Sequence, residues 1–242
     1  MNILVTENYS AMSRAAADIL EEVVKKKPTA VLGLATGSTP IGLYRELVER
    51  YEKGVLDFSR VTTFNLDEYY PIAAADPHSY RYFMNDNLFD HINVDRARIH
   101  IPNGEAADAD AECATYEKML DEAGGIDLQI LGIGLNGHIG FNEPSDTLVA
   151  KTHRTPLTES TLQANARFFE DISAMPDSAL TMGMASIFRA KKILLLANGT
   201  AKADIIGTLM TGGISTNVPA SLLLLHPDVT VICDKEAAKL LA

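Results

Sequence analysis

Short apolar runs alternate along the chain with longer stretches of helical period. The first run, NILVTE, reads as a short buried strand. Met12, Ala15, Ala16, Ile19, Leu20, Val23 and Val24 then recur on one helical face, so residues 10–27 are predicted helical, with Ser10 placed to cap the start and Pro28 to stop it. AVLGLATG follows as a strand running into a glycine turn, and IGLYRELVERYEK as a second amphipathic helix. VTTFNLDEYY begins as a strand, SYRYFMNDNLFDHI is helical, RIHI is a short strand, and residues 107–123 are helical. IDLQILGIG reads as a strand buried on both faces. ALTMGMASIFRA is predicted as a helix, KKILLLANG as a strand, TAKADIIGTLM as a helix and DVTVICDK as the last strand. This alternation predicts an α/β fold with a mostly parallel central sheet and helices on both faces. Residues 144–177 break the rhythm and are expected to form a lid or insertion.

Composition narrows the classes. A chain of 242 residues is one large domain or two small ones, and no linker or repeat divides it. The net charge of -11 argues against a nucleic-acid partner, yet leaves room for an anionic metabolite, because local donors outweigh distant charge. Cys113 and Cys233 show no paired spacing and read as reduced thiols of a cytoplasmic protein. Glu7 and Asn8 interrupt the first apolar run, so no signal peptide is expected, and no apolar stretch reaches the roughly 18 residues of a membrane span.

Three strand ends carry polar groups. Gly132, Gly134 and Gly137 fit the G-x-G-x-x-G spacing of a dinucleotide turn, but that turn must open a helix. Gly140 and Pro144 follow instead, within a loop that carries Asn136, His138 and Glu143. A histidine near a carboxylate on a glycine-rich loop is an acid/base candidate; a structural histidine is the alternative. GLATGSTP joins a strand to a helix, with Gly37 allowing close backbone approach, Ser38 and Thr39 adding hydroxyls, and Pro40 suiting the first helical position. It is an anion-site candidate, or simply a well-capped turn. Asp67 and Glu68 close an apolar strand, as catalytic carboxylates or as a solvated acidic turn. A parallel sheet gathers all three ends on one edge.

Together GLATGSTP, FNLDEYY, LGIGLNGHIGFNEP and ANARFF resemble the glucosamine-6-phosphate deaminase (isomerising) family, in order along nearly the whole chain. The resemblance implies a single domain with a Rossmann-like, doubly wound sandwich. It implies conversion of glucosamine 6-phosphate and water into fructose 6-phosphate and ammonia, without metal or organic cofactor. It assigns ring opening to His138, supported by Glu143, and carbon-2 proton abstraction to Asp67. Thr36, Gly37, Ser38 and Thr39 are implied to bind the phosphate, with Arg167 and Lys202 as its cations. Many members of the family carry Asp where this chain has Asn136. Asn136 is expected to accept a hydrogen bond from the imidazole without adding charge, leaving Glu143 as the carboxylate supporting His138.

Rival readings are a 6-phosphogluconolactonase-type hydrolase and a non-enzymatic sugar-phosphate sensor. GFNEP and LDEY favour the deaminase, since lactone hydrolysis needs no carbon-2 base, and no DNA-binding segment supports a sensor. His78, His91, His100, His153 and His226 lack metal-ligand spacing. In allosteric hexameric relatives, basic residues after NEP bind an activator. The matching positions here are Asp146, His153 and Thr155, so a monomer or small oligomer is expected.

Overall fold

The computed structural model describes residues 1–158 and 176–241. Among these residues seven strands form a wholly parallel sheet: β1 (Asn2–Thr6), β2 (Val31–Leu34), β3 (Thr62–Asn65), β5 (Ile99–His100), β6 (Leu128–Leu131), β9 (Ile193–Ala197) and β10 (Val229–Asp234). Their order is β1-β10-β9-β6-β2-β3-β5. The helices α1 (Tyr9–Lys26), α2 (Ile41–Glu52) and α3 (Tyr80–Asn87) cover one face. The helices α4 (Ala109–Glu122), α5 (Met184–Phe188) and α6 (Ala203–Met210) cover the other. Within β9 the alternation is direct: Leu194 and Leu196 enter the first layer, Ile193, Leu195 and Ala197 the second. That is why the central strands read as unbroken apolar runs.

The chain moves outward from β2 to β3 and β5, then returns to build β6, β9 and β10 on the other side. Strand order therefore switches between β2 and β6, and a crevice opens beyond their carboxyl ends, where open α/β sheets bind ligands. The loops that follow β2 and β6 are the two glycine-rich segments singled out above.

Three expectations are corrected. NILVTE is an edge strand rather than a buried one, with Leu4 42% and Val5 45% exposed, because among the described residues β1 pairs with β10 on one side alone. The first helix is capped by Asn8, which accepts from the Ala11 amide, not by Ser10. ALTMGMASIFRA divides into β8 (Ser178–Thr181) and the short α5, with Gly183 extended between them. A Cβ on Gly183 would lie 2.3 Å from the Lys151 carbonyl, so the chain crosses there too closely for a continuous helix.

β8 is the centre of a second, antiparallel sheet, ordered β4-β8-β7, with β4 (Asp67–Tyr70) and β7 (His153–Pro156) at its edges. Leu66 joins the two sheets: its amide donates to Leu34 of β2 and its carbonyl accepts from Met182, just past β8. Part of the expected insertion at 144–177 is thus ordered sheet, and residues 159–175 lie outside the described ones.

Candidate active site

The loop after β2 is shaped by backbone and held by tyrosines. Gly37 sits at φ 96°, a conformation that L side chains resist. Tyr9 donates its hydroxyl to the Ser38 carbonyl at 3.1 Å and accepts the Gly42 amide at 2.7 Å, tying α1 to the loop. The buried Tyr44 hydroxyl accepts the Ala35 amide at 3.2 Å and fixes the end of β2. Thr39 Oγ1 then donates to Asn198 Oδ1 at 2.9 Å, clasping this loop to the one after β9. In that second loop the Gly199 amide points at both Asp234 oxygens, at 3.0 and 3.1 Å. The turn Thr200–Lys202 follows and delivers Lys202 to the cleft. Lys202 Nζ donates to the Ile133 carbonyl at 2.6 Å, and burial holds its ammonium below the usual lysine range.

Asp67 opens β4 where the chain leaves the main sheet. Its carboxyl is buried, and burial pushes it up to about 8, with the adjacent Glu68 charge adding to the rise. Glu68 is also buried and pushed up to about 7 by desolvation, against the pull of three backbone amides. Those amides are Tyr80 at 2.7 Å, Arg81 at 2.8 Å and Tyr69 at 2.9 Å. Glu68 thereby satisfies the free amides that begin α3, and α3 carries Tyr80 to the cleft beside Asp67. The three donors favour the charged form of Glu68, so of the two carboxylates Asp67 keeps its proton to higher pH.

The loop after β6 turns tightly: the Gly134 amide donates to the His138 carbonyl at 2.9 Å, and the Gly137 amide to the Gly134 carbonyl at 3.1 Å. The His138 ring lies over Gly134, where a Cβ would meet ring atoms at 2.4 Å. His138 Nδ1 is 3.2 Å from Glu143 Oε1, within ion-pair reach but off the line of a hydrogen bond. Asn136 corrects the expectation for its role. Its Nδ2 donates to Glu143 Oε2 at 2.7 Å and its Oδ1 accepts the His138 amide at 3.2 Å, so it does not accept from the imidazole. A carboxylate can only accept and an amide N–H can only donate, which fixes the orientation of the Asn136 side chain. Asn136 holds Glu143, and Glu143 faces the imidazole.

The fold thus gathers Thr36, Gly37, Ser38, Thr39, Asp67, Asn136, His138 and Lys202 around one cleft of about 520 Å³. Glu143 stands behind His138. Arg167 lies outside the described residues. Sequence reading missed Tyr80, Asn198, Asp234 and Thr181. Of these, Tyr80 had a signal, since it starts the helix after LDEY. The cleft brings together the turn residues Thr36–Thr39 with Lys202, the buried Asp67 carboxyl, and the imidazole–carboxylate pair of His138 and Glu143.

The sequence profile of the family described as Glucosamine-6-phosphate isomerases/6-phosphogluconolactonase matches residues 6–232. A glucosamine-6-phosphate deaminase of Halothermothrix orenii is 56% identical over 241 residues, covering 100% of both chains. One of Thermoanaerobacter pseudethanolicus is 54% identical over 241 residues, covering 100% of this chain and 95% of that one. A solved monomeric glucosamine-6-phosphate deaminase superposes with a TM-score of 0.96 at 49% identity, over 99% of this chain and 100% of that one. A 6-phosphogluconolactonase from Trypanosoma brucei shares the fold, with a TM-score of 0.78 at 19% identity over 100% of this chain and 98% of that one.

Proposed function

The chain belongs to the family of glucosamine-6-phosphate isomerases and 6-phosphogluconolactonases, and from that membership we propose how its cleft deaminates glucosamine 6-phosphate. The phosphate sits on the donors of Thr36–Thr39 beside Lys202. It does not react; its binding energy holds the sugar with carbons 1 and 2 toward Asp67. His138 moves a proton between the anomeric hydroxyl and the ring oxygen, which opens the pyranose. Glu143 stabilises the imidazole while it carries the extra proton, and Asn136 keeps Glu143 in place.

In the open aldehyde the carbon-2 proton is acidic. Asp67, ionised, takes it; the electron pair forms the carbon 1–carbon 2 double bond while the carbonyl π bond breaks onto oxygen 1, which takes a proton from solvent to give an enolamine. A proton returns to carbon 1, leaving an imine at carbon 2. Water adds there, and ammonia leaves as the ketone of fructose 6-phosphate forms. Arg167 adds a second cation to the phosphate in this reading, as the resemblance implies.

The observation that carries the proposal is the placement of a buried, proton-retaining Asp67 in the same cleft as His138 and an anion cradle. A weak base in bulk water becomes a useful one when desolvation raises its proton affinity. Asp67→Asn keeps the shape and loses the base. It is expected to abolish ammonia release and carbon-2 hydrogen exchange in heavy water, while calorimetry still detects binding of a non-reacting amino-sugar phosphate. Exchange at the wild-type rate would remove Asp67 from the mechanism. We also propose a monomer in the cytoplasm, in line with the solved monomeric relative.

A further inference from the structure

We propose that Thr181 is the positioning residue that locks the carbon-2 base and the imidazole loop into one register, an inference that rests on the roles given above to Asp67 and His138. Thr181 ends β8 and lies directly across from Asp67 in the antiparallel pairing of β4 and β8. Side chains opposite one another in such a pair stand on the same face, about 5 Å apart. The Thr181 hydroxyl is therefore carried to the side of the sheet that bears the Asp67 carboxylate.

That hydroxyl is fully buried and accepts the Phe141 amide at 3.2 Å. Phe141 is three residues beyond His138 on the same loop, and its ring lines the cleft. Gly140 makes the approach possible. It sits at φ 57°, and a Cβ there would lie 2.9 Å from Thr181 Oγ1 and 3.3 Å from Asp67 Oδ2. The loop, the threonine and the base thus converge on one point where no side chain fits.

The flanking bonds have the same sense. The Met182 amide donates to the Leu66 carbonyl at 2.8 Å, joining the residue after Thr181 to the residue before Asp67. Asn142 Nδ2 donates to the Met182 carbonyl at 2.8 Å, joining it to the residue after Phe141. These contacts use the backbone of residue 182 and persist whatever side chain stands at 181. The Thr181 hydroxyl adds the link that reads side-chain chemistry: a methyl in its place leaves the buried Phe141 amide without an acceptor. The loop then moves off the base strand, and proton transfers that depend on sub-ångström placement slow, while the anion cradle some residues away is untouched.

Thr181→Val keeps the branched shape and removes the acceptor; Thr181→Ser keeps the acceptor. Both are compared with wild type, Asp67→Asn and His138→Gln for kcat, KM and calorimetric affinity for an acyclic amino-sugar phosphate, with folding checked by circular dichroism. The valine variant is expected to lose about ten- to a hundredfold in kcat, with KM and analogue affinity within about threefold. The serine variant is expected to stay within about threefold of wild type in kcat. Amide hydrogen exchange at Phe141 should quicken in the valine variant alone. If valine does not fold, Thr181→Cys, of serine's shape but a weak acceptor, takes its place with the same expectation. Wild-type kcat in the valine or cysteine variant overturns the proposal, as does a serine variant that falls as far as valine. If Asp67→Asn itself turns over normally, the reading of the site fails instead, whatever the threonine variants do.

Discussion

The proton affinity of Asp67 is set by the spot where the chain leaves the main sheet, between buried Leu66 and a second carboxylate. For the free enzyme, kcat/KM should climb with pH through the range below about 8, as the buried carboxyl ionises. A flat profile between pH 6 and 8, set by the assay, would contradict that. The same shift has a stability consequence of opposite direction. A carboxyl whose folded value is raised stabilises the fold while protonated. That contribution is complete below the unfolded value near 4 and is lost as pH rises through about 8. Asp67→Asn is therefore expected to exceed wild type in thermal midpoint above pH 8, by stability on the order of 1 kcal/mol or more, and to match it in acid. Asn136→Ala removes one donor to Glu143 and is expected to lower kcat about tenfold with little change in KM, the worth of a hydrogen bond to a charged group. Equal kcat for Asn136→Ala and wild type would remove Asn136 from the chain of support. The polar residues at these strand ends were legible in sequence, because Asp67 and His138 end apolar runs. The partner of Asn136 was not, because spacing does not say which way a side chain turns.

At the scale of elements, two turns make the site. In the turn Gly134–His138 a methyl at Gly134 would meet the imidazole at 2.4 Å. Gly134 is not among the positive-φ glycines, so alanine is tolerated by the backbone. Gly134→Ala is thus expected to displace His138 and cost about a hundredfold in kcat, with circular dichroism unchanged. An activity near wild type would show that the ring position does not matter. In the turn after β9, Asp234 holds the Gly199 amide and so sets Lys202. Asp234→Asn is expected to raise KM about tenfold and leave kcat within about threefold, a split that steady-state kinetics reads directly. The buried strand β9 was legible because both its faces are apolar, and β6 because its run is interrupted only by Gln129. The small sheet was not. Ser178–Thr181 carries a pattern short enough for either helix or strand, and its pairing with Asp67–Tyr70 is decided by residues far away in sequence.

At the scale of the whole molecule, the resemblance and the β-α rhythm anticipated the doubly wound sheet, while the edge position of β1 came from topology that no local pattern holds. The resemblance places an activator's positions at Asp146, His153 and Thr155, beside Arg154. Arg154 donates to Ser178 Oγ at 3.0 Å and stacks over Tyr70, and Asp146 lies exposed where a phosphate would be repelled. Substrate saturation is expected to be hyperbolic, with no change on adding N-acetylglucosamine 6-phosphate, and sedimentation should give a single subunit. A hexamer whose curve turns from sigmoidal to hyperbolic with the activator would contradict this. The most direct measurement is product formation by the pure protein from glucosamine 6-phosphate, with 6-phosphogluconolactone in parallel. Ammonia and fructose 6-phosphate in equal amounts, lost in Asp67→Asn, with the lactone left intact, is the predicted result. Lactone hydrolysis without ammonia release would contradict the account.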